Sequence, residues 1–235
     1  MQIIVSGIPV EVTKKNIKNV HLSVMPPDGM VRVSAPKFIS DESIEMFVRT
    51  KIGWIKKYQK EKFESQPRQS ERQYVSGETL YLWGKQYFLQ VDYSNKEYSL
   101  VLDGDKALLT VRKESTVKQR ENFVNEWYRE YLKNEISRLL PKWENTTGLK
   151  CSSWQTKYMT TRWGTCNTQT KKIWFNLQLA KKPIECLEYV ILHELAHTKV
   201  RNHGADFIAI MDKHMPYWRE IKKKLNDSTL DYYVG

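Results

Sequence analysis

The sequence contains few cysteines, and none of them lies in a paired motif. The three that occur, Cys151, Cys166 and Cys186, are an odd number and show no Cys-x-x-Cys spacing. This pattern argues against a disulfide framework and against a zinc site built from thiolates. We therefore expect reduced, buried thiols.

Long apolar runs are absent as well. No stretch approaches the roughly 18 consecutive apolar residues that indicate a membrane-spanning helix. Residues 1–7 lack the charged and apolar regions of a secretory signal peptide. With 40% hydrophobic and 28% charged residues, the composition is ordinary for a soluble globular protein. We expect a cytoplasmic protein without membrane contact.

Acidic residues are fewer than basic ones, and the formal net charge is +11. A concentrated basic face would indicate nucleic-acid binding, because such a face releases counterions when it meets phosphate. Here the lysines are dispersed, and no known nucleic-acid-binding module is visible. We expect solvated surface lysines and, at most, weak nucleic-acid binding without sequence preference. The main runs are Lys56–Lys57, Lys171–Lys172, Lys181–Lys182 and Lys222–Lys224.

The segment His193-Glu194-Leu195-Ala196-His197 has the spacing of a catalytic zinc site. On a helix, His193 and His197 share one face, so both imidazoles can reach one metal ion. Glu194 lies about 100° around the helix and can contact a metal-bound water without being a ligand, which suits a general base. The alternative is a surface helix with two solvated histidines. A metal helix is favoured because an apolar stripe occupies its other side: Ile184, Leu187, Val190, Ile191 and Leu195.

His203 is the candidate third ligand. It can join the site only if the chain turns back, because a continuous helix would carry it about 15 Å along the axis from His193. Asn202 and Gly204 tolerate the left-handed conformation, so we expect the helix to end at Arg201–Asn202. The alternatives are that His203 lies in a loop and that the third ligand is acidic, with Asp206 and Asp212 as candidates.

The histidine segment belongs to a longer series of motifs that extends over nearly the whole chain. The motifs are Arg162-Trp163-Gly164-Thr165-Cys166, Phe175-Asn176-Leu177 with Leu179 and Pro183, Tyr189-Val190, the HExxH segment 193–197, Asn202-His203 with Phe207, and, upstream, Val31–Pro36, Trp54-Ile55 and Gly77. Together they resemble one family, the YgjP-like zinc metallopeptidases, which are relatives of the SprT-like group. The resemblance implies that His193, His197 and His203 are zinc ligands and that Glu194 is the catalytic residue.

This sequence departs from the family pattern at two positions. Thr165 stands where serine is usual, and Ile208 stands where an aromatic residue often follows the phenylalanine. Neither residue is a proposed ligand, so the departures concern details of the pocket. SprT-like relatives that act on DNA-bound proteins suggest a link to nucleic acid by analogy alone.

The pattern along the chain predicts an α+β fold: a zincin-like metallopeptidase core with an N-terminal β-rich half. We divide the chain into residues 1–115, a β-rich region with one helix, and residues 116–235, the catalytic region. A helix should begin after Ser40, a linker is expected at residues 65–72, and Pro141 should end a long helix that begins at Thr116. No internal repeat is visible. The predicted strands are 3–12, 21–33 with a turn at 26–29, 80–93, 98–111 with a turn at 103–105, 153–163 and 172–179.

These features predict a zinc-dependent metallopeptidase in which Glu194 takes a proton from the attacking water. We expect a peptide or protein substrate to bind as an extended strand along an edge strand at residues 172–179, with Asn176 and Arg162 in contact with it. The alternatives are that Asn176 caps a turn and that Arg162 stacks with Trp163. The competing function is a non-proteolytic, zinc-stabilised binding module or a nucleic-acid-associated adaptor.

Overall fold

A computed structural model of the protein describes residues 1–25, 29–59, 72–94, 97–159 and 162–227. The predicted turn at residues 26–29 and the predicted linker at 65–72 lie largely outside this range. The chain divides into two compact units, and the boundary falls between residues 70 and 71. Within the described residues, no helix is long and apolar enough to cross a membrane.

The first unit is a four-stranded sheet with one helix. Its strand order is β1-β2-β4-β3, with β2 and β4 parallel and the other pairs antiparallel. Helix α1 starts after Ser40, whose Oγ accepts a hydrogen bond from the Ser43 backbone N–H at 3.3 Å. Val10, Val33 and Ile44 are fully buried between sheet and helix. The elements are β1 Gln2–Val5, β2 Ile8–Lys15, β3 His21–Met25, β4 Met30–Pro36 and α1 Asp41–Gln59.

The second unit begins with another four-stranded sheet, and it has the same connectivity as the first. Its order is β5-β6-β8-β7, again with one parallel pair, β6 and β8, and a helix follows the fourth strand. The turn at Asp103–Asp105 is confirmed. The ββββα arrangement is therefore repeated, although the sequence shows no visible repeat. The elements are β5 Thr79–Leu82, β6 Lys85–Ser94, β7 Ser99–Asp103, β8 Lys106–Arg112 and α2 Val117–Thr147.

Two strands that we predicted as continuous are in fact hairpins. The segment 3–12 turns at Ser6-Gly7, and the segment 80–93 turns at Trp83-Gly84. All four turn residues have positive φ, between 49° and 80°. Two consecutive residues of this kind form the tight turn that matches the twist of an antiparallel hairpin. Neither pair has the Asn-Gly or Asp-Gly sequence that usually signals such a turn.

Helix α2 also runs further than predicted, because Pro141 lies inside it and the helix ends at Thr147. Leu139, Leu140 and Trp143 are buried on both sides of the proline. Packing on both sides offsets the single hydrogen bond that proline removes. The signal that ends the helix is Gly148, which adopts a left-handed φ of 72°.

The remaining elements complete the second unit. A three-stranded sheet has the order β10-β11-β9, so β11 is its central strand and not an edge. The predicted strands 153–163 and 172–179 are shorter in the structure, and a short 3₁₀ helix, Leu177–Lys181, follows β11. The elements are β9 Ser153–Lys157, β10 Gly164–Asn167, β11 Lys172–Asn176, α3 Ile184–Ala196, α4 Ala205–His214 and α5 Trp218–Asp227.

The predicted α+β class with an N-terminal β-rich half is confirmed. The compact units differ from the predicted division at residue 116, because the sheet β5–β8 shares one apolar core with α2 and α3. Hydrogen bonds tie the hairpin at Trp83 to the elements around this core. The Trp83 N–H donates to the Ala180 carbonyl at 2.8 Å, and the Tyr128 hydroxyl donates to the Tyr81 carbonyl at 2.7 Å. The division at residue 116 stays a prediction about where catalytic function begins.

Candidate metal centre

Helix α3 carries the first two candidate ligands. Leu187, Ile191 and Leu195 of the predicted apolar stripe are fully buried, while His193 and His197 are half-buried. Val190 does not lie on the side away from the histidines, as predicted, but lines the cleft together with them. The helix ends at Ala196, earlier than the predicted stop at Arg201–Asn202. The Val200 N–H donates to the Ala196 carbonyl at 2.9 Å, so the chain leaves the helix in a tight turn.

This turn brings His203 back over the helix. The Nε2 atom of His203 lies 3.1 Å from Nε2 of His193 and 3.1 Å from Nε2 of His197. The three histidines form the one cluster of metal-ligating side chains found among the described residues. Neither Asp206 nor Asp212 belongs to it. Asp212 instead accepts a hydrogen bond from the Trp218 indole N–H at 2.8 Å.

The donor set fits a tetrahedral zinc ion. Two nitrogen ligands at about 2.0–2.1 Å from such an ion lie about 3.3 Å apart, close to the separations of Nε2 atoms seen here. The Nδ1 atom of His197 lies 2.9 Å from the Val200 carbonyl, and Nδ1 of His193 lies 3.4 Å from the Tyr189 hydroxyl. A proton on each Nδ1 satisfies these contacts and leaves each Nε2 lone pair free for a metal.

The surroundings of His193 and His203 favour the neutral imidazole. Burial, together with His197 and His203, lowers the pKa of His193 to about 3. Burial also lowers the pKa of His203, with a smaller contribution from His197. The Phe207 ring of α4 lies against all three imidazoles, with centroid distances of 4.7 to 5.0 Å. Neutral imidazole is the form that binds metal, so these two ligands need no deprotonation at neutral pH.

Glu194 is buried beside the histidines, with only 4% of its surface exposed. Burial raises its pKa to about 8, and the positive charge of Arg162 partly opposes this shift. A carboxyl group of this kind can both accept and donate a proton near neutral pH.

Gly164 of β10 leaves the space that the Glu194 side chain occupies. The sequence analysis assigned no role to this glycine. A Cβ atom at Gly164 would lie 2.6 Å from Oε1 and 2.8 Å from Cγ of Glu194, and 2.9 Å from Cγ1 of Val190. The backbone of β10 therefore passes directly against the Glu194 side chain. Gly164 lies between the predicted strands 153–163 and 172–179, and β10 itself was not predicted. A glycine indicates a close backbone approach only once its strand is recognised, so the sequence offered no usable signal here.

A cleft of about 760 Å³ opens in front of this centre. One wall is β10 with the residues on either side of it, and the other walls come from α3, the turn after it and α5. The predicted substrate residue Arg162 lies here. The lining residues include Trp163, Gly164, Cys166, His193, Glu194, His197, Arg201, His203 and Lys222.

The second predicted substrate residue, Asn176, does not line the cleft and is 1% exposed. Its Oδ1 accepts hydrogen bonds from the N–H groups of Met159 and Gln178, and its Nδ2 donates to the carbonyls of Met159 and Arg162 at 2.8 and 2.7 Å. A side chain that uses all its polar atoms on the backbone has none left for a substrate. Asn176 caps the 3₁₀ helix, in line with the alternative hypothesis that it caps a turn, and its side chain fixes the backbone at Arg162.

The predicted edge strand must also be corrected. Because β11 pairs on both sides, its backbone groups are already bonded, and the edge strand that borders the cleft is β10. The Asn176 N–H donates to the Trp163 carbonyl at 2.9 Å. Antiparallel pairing alternates along a strand, so Gly164 and Cys166 direct their N–H and C=O groups toward the free edge.

The sequence matches the family described as YgjP-like, metallopeptidase domain, over residues 18–228. The chain belongs to the YgjP-like family. Two solved structures are similar over a smaller part. The metallopeptidase zymogen jannalysin of Methanocaldococcus jannaschii is 25% identical, covers 38% of this chain and 92% of its own, and has a TM-score of 0.35. The metallopeptidase zymogen abylysin of Pyrococcus abyssi is 17% identical, covers 42% of this chain and 99% of its own, and has a TM-score of 0.38.

No curated protein matches the sequence. Membership of a YgjP-like metallopeptidase family identifies the chain as a peptidase domain that uses a metal ion and acts on peptides or proteins. The histidine cluster supplies a site that can hold such an ion.

Proposed function

We propose that this YgjP-like protein is a zinc-dependent metallopeptidase in which His193, His197 and His203 hold the ion and Glu194 is the general base. The observation that carries the proposal is that Nε2 of His203 lies 3.1 Å from Nε2 of both His193 and His197, beside a buried carboxyl group. Three neutral nitrogen ligands that leave a fourth position open are typical of catalytic zinc.

A zinc ion in this position would supply Lewis acidity, which polarises a scissile carbonyl and makes water a better nucleophile. Glu194 would then accept the proton of the attacking water and pass it to the departing amine. Its raised pKa of about 8 suits both halves of this transfer.

The substrate would bind as an extended chain along β10. The outward backbone groups of Gly164 and Cys166 can pair with a peptide, which then lies in front of Glu194 and the three histidines. Backbone pairing of this kind holds a peptide with little dependence on its sequence. Arg162 lies at the start of this edge and is a candidate for contact with the substrate.

The proposal is tested by removing the metal and restoring it. Protein treated with a chelator should cleave no member of a peptide library, and stoichiometric zinc should restore cleavage. If the zinc-loaded protein cleaves no peptide, a non-proteolytic, zinc-stabilised binding module is the better interpretation of its function. Cleavage that persists without any metal would contradict the mechanism.

A further inference from the structure

Positively charged side chains predominate in the lining of the cleft. Arg162, Arg201 and Lys222 contribute three cationic side chains to its lining, and all three are exposed. Glu194 is the one carboxylate among the described lining residues. It lies deep in the centre and is 4% exposed, so the accessible walls carry only positive charge.

Two cations of α5 are held in ion pairs. Arg219 forms one with Asp212 at 2.5 Å, and Lys224 forms one with Glu185 at 2.5 Å. Lys222, like Lys223, forms no ion pair within the described part of the chain, and the Lys222 Nζ lies 5.7 Å from the Trp218 ring centroid. Of these two unpaired lysines, Lys222 is the one that lines the cleft.

The positions of these charges are set by the elements that line the cleft. Arg162 lies two residues before β10, and Asn176 fixes the backbone there through the 2.7 Å hydrogen bond to the Arg162 carbonyl. Lys222 lies on α5, and Arg201 lies in the turn after α3. A peptide along β10 would thus meet cations from more than one wall of the cleft.

We propose that this cleft selects peptide segments with aspartate or glutamate side chains next to the scissile bond. The inference rests on the proposed peptidase function and names its substrate class. Acidic peptide is favoured over nucleic acid because three cations lie around the cleft that holds the proposed metal ligands, while the other lysines are dispersed. Complementary charge chiefly determines which partner binds and how fast it arrives.

The test compares three peptides that differ only at the residues flanking the cleaved bond: aspartate, asparagine or lysine. An exposed charge pair changes binding by about 2- to 5-fold, so three cations should make kcat/KM for the aspartate peptide about 10-fold higher than for the asparagine peptide. The lysine peptide should be the slowest. The preference should shrink as salt is raised, because these charges are exposed.

Two variants test whether the preference for aspartate arises from the cations of the cleft. Lys222→Glu should lower the aspartate-to-asparagine ratio at least 3-fold and improve cleavage of the lysine peptide. Lys224→Glu, on the same helix but paired with Glu185, is the matched control and should leave the ratio unchanged. Zinc content and thermal unfolding of both variants verify that the protein is folded.

The outcomes separate the two proposals. Equal cleavage of the three peptides would overturn the substrate class and leave the peptidase function standing. Cleavage of none would contradict both. If a single-stranded oligonucleotide displaced the aspartate peptide at physiological salt, the cations would be assigned to nucleic acid and the acidic-peptide proposal would be wrong.

Discussion

Substituting Gly164→Ala tests the packing of β10 against Glu194, the proposed general base. The added Cβ would lie 2.6 Å from Oε1 and 2.8 Å from Cγ of Glu194, and 2.9 Å from Cγ1 of Val190. Ordinary contacts of carbon atoms are about 3.5 Å or longer, so the overlap is roughly 0.6–0.9 Å. Glu194 is 4% exposed and has little space into which it can move.

Two effects follow from this overlap. Overpacking of a filled site costs about 1–3 kcal/mol of unfolding free energy, which lowers Tm by roughly 3–10 °C for a unit of this size. A displacement of the general base by about 1 Å is enough to reduce kcat roughly 100-fold. Zinc content should stay at the parental level, because no atom of the three histidines is among the close contacts.

The assay combines thermal unfolding, zinc analysis and peptide cleavage. Gly53→Ala is the matched control, since a Cβ at this helical position would meet nothing within 4 Å. The control should keep full activity and gain up to about 1 kcal/mol of stability, because alanine is the better helix former. Parental Tm and kcat in Gly164→Ala would refute the account of this contact.

Two further substitutions test the ligand set and the support behind the cleft. His203→Ala should lower zinc affinity sharply, because it removes one of three ligands, whereas Asp206→Ala should keep full zinc occupancy; the reverse result in metal analysis would make the ligand assignment wrong. Asn176→Ala should reduce the unfolding free energy by about 2–4 kcal/mol, because it removes the donor of the Arg162 carbonyl and the acceptor of the Met159 N–H. An unchanged denaturation midpoint would contradict this structural role for Asn176.

Local periodicity explains what the sequence could predict about the site. The histidines at 193 and 197 share a helix face by geometry alone, and the apolar stripe that packs α3 is visible in the spacing of its residues. The loop back to His203 could be expected only in outline. Its actual path depends on hydrogen bonds such as that between His197 Nδ1 and the Val200 carbonyl, which no local pattern encodes.

Strand order was the main feature that the sequence did not reveal. The segment around β11 reads as a strand, but only the pairing in three dimensions makes it central and leaves β10 as the edge at the cleft. The polar character of Asn176 suggested a substrate contact, whereas the fold turns it inward as a cap. Position in a sheet depends on residues far apart in the chain, and for this reason spacing could not assign it.

The repeated ββββα arrangement was hidden for a related reason. Its hairpins turn at Ser6-Gly7 and Trp83-Gly84, which share the glycine and the positive φ but not the usual turn sequence. Similar backbone conformations can be encoded by different residues, because only the glycine is strongly required by sterics. The topology therefore shows a repeat that residue identity does not.

The central claim is that Glu194 is the general base of a three-histidine metal site, and one paired measurement tests it most directly. Glu194→Gln and the control Glu188→Gln, which lies on the same helix outside the cleft lining, are each loaded with zinc and assayed with one cleavable peptide. We expect full zinc occupancy in both variants, parental turnover in Glu188→Gln and turnover lowered about 100-fold or more in Glu194→Gln. Parental turnover in a fully zinc-loaded Glu194→Gln variant would contradict the account.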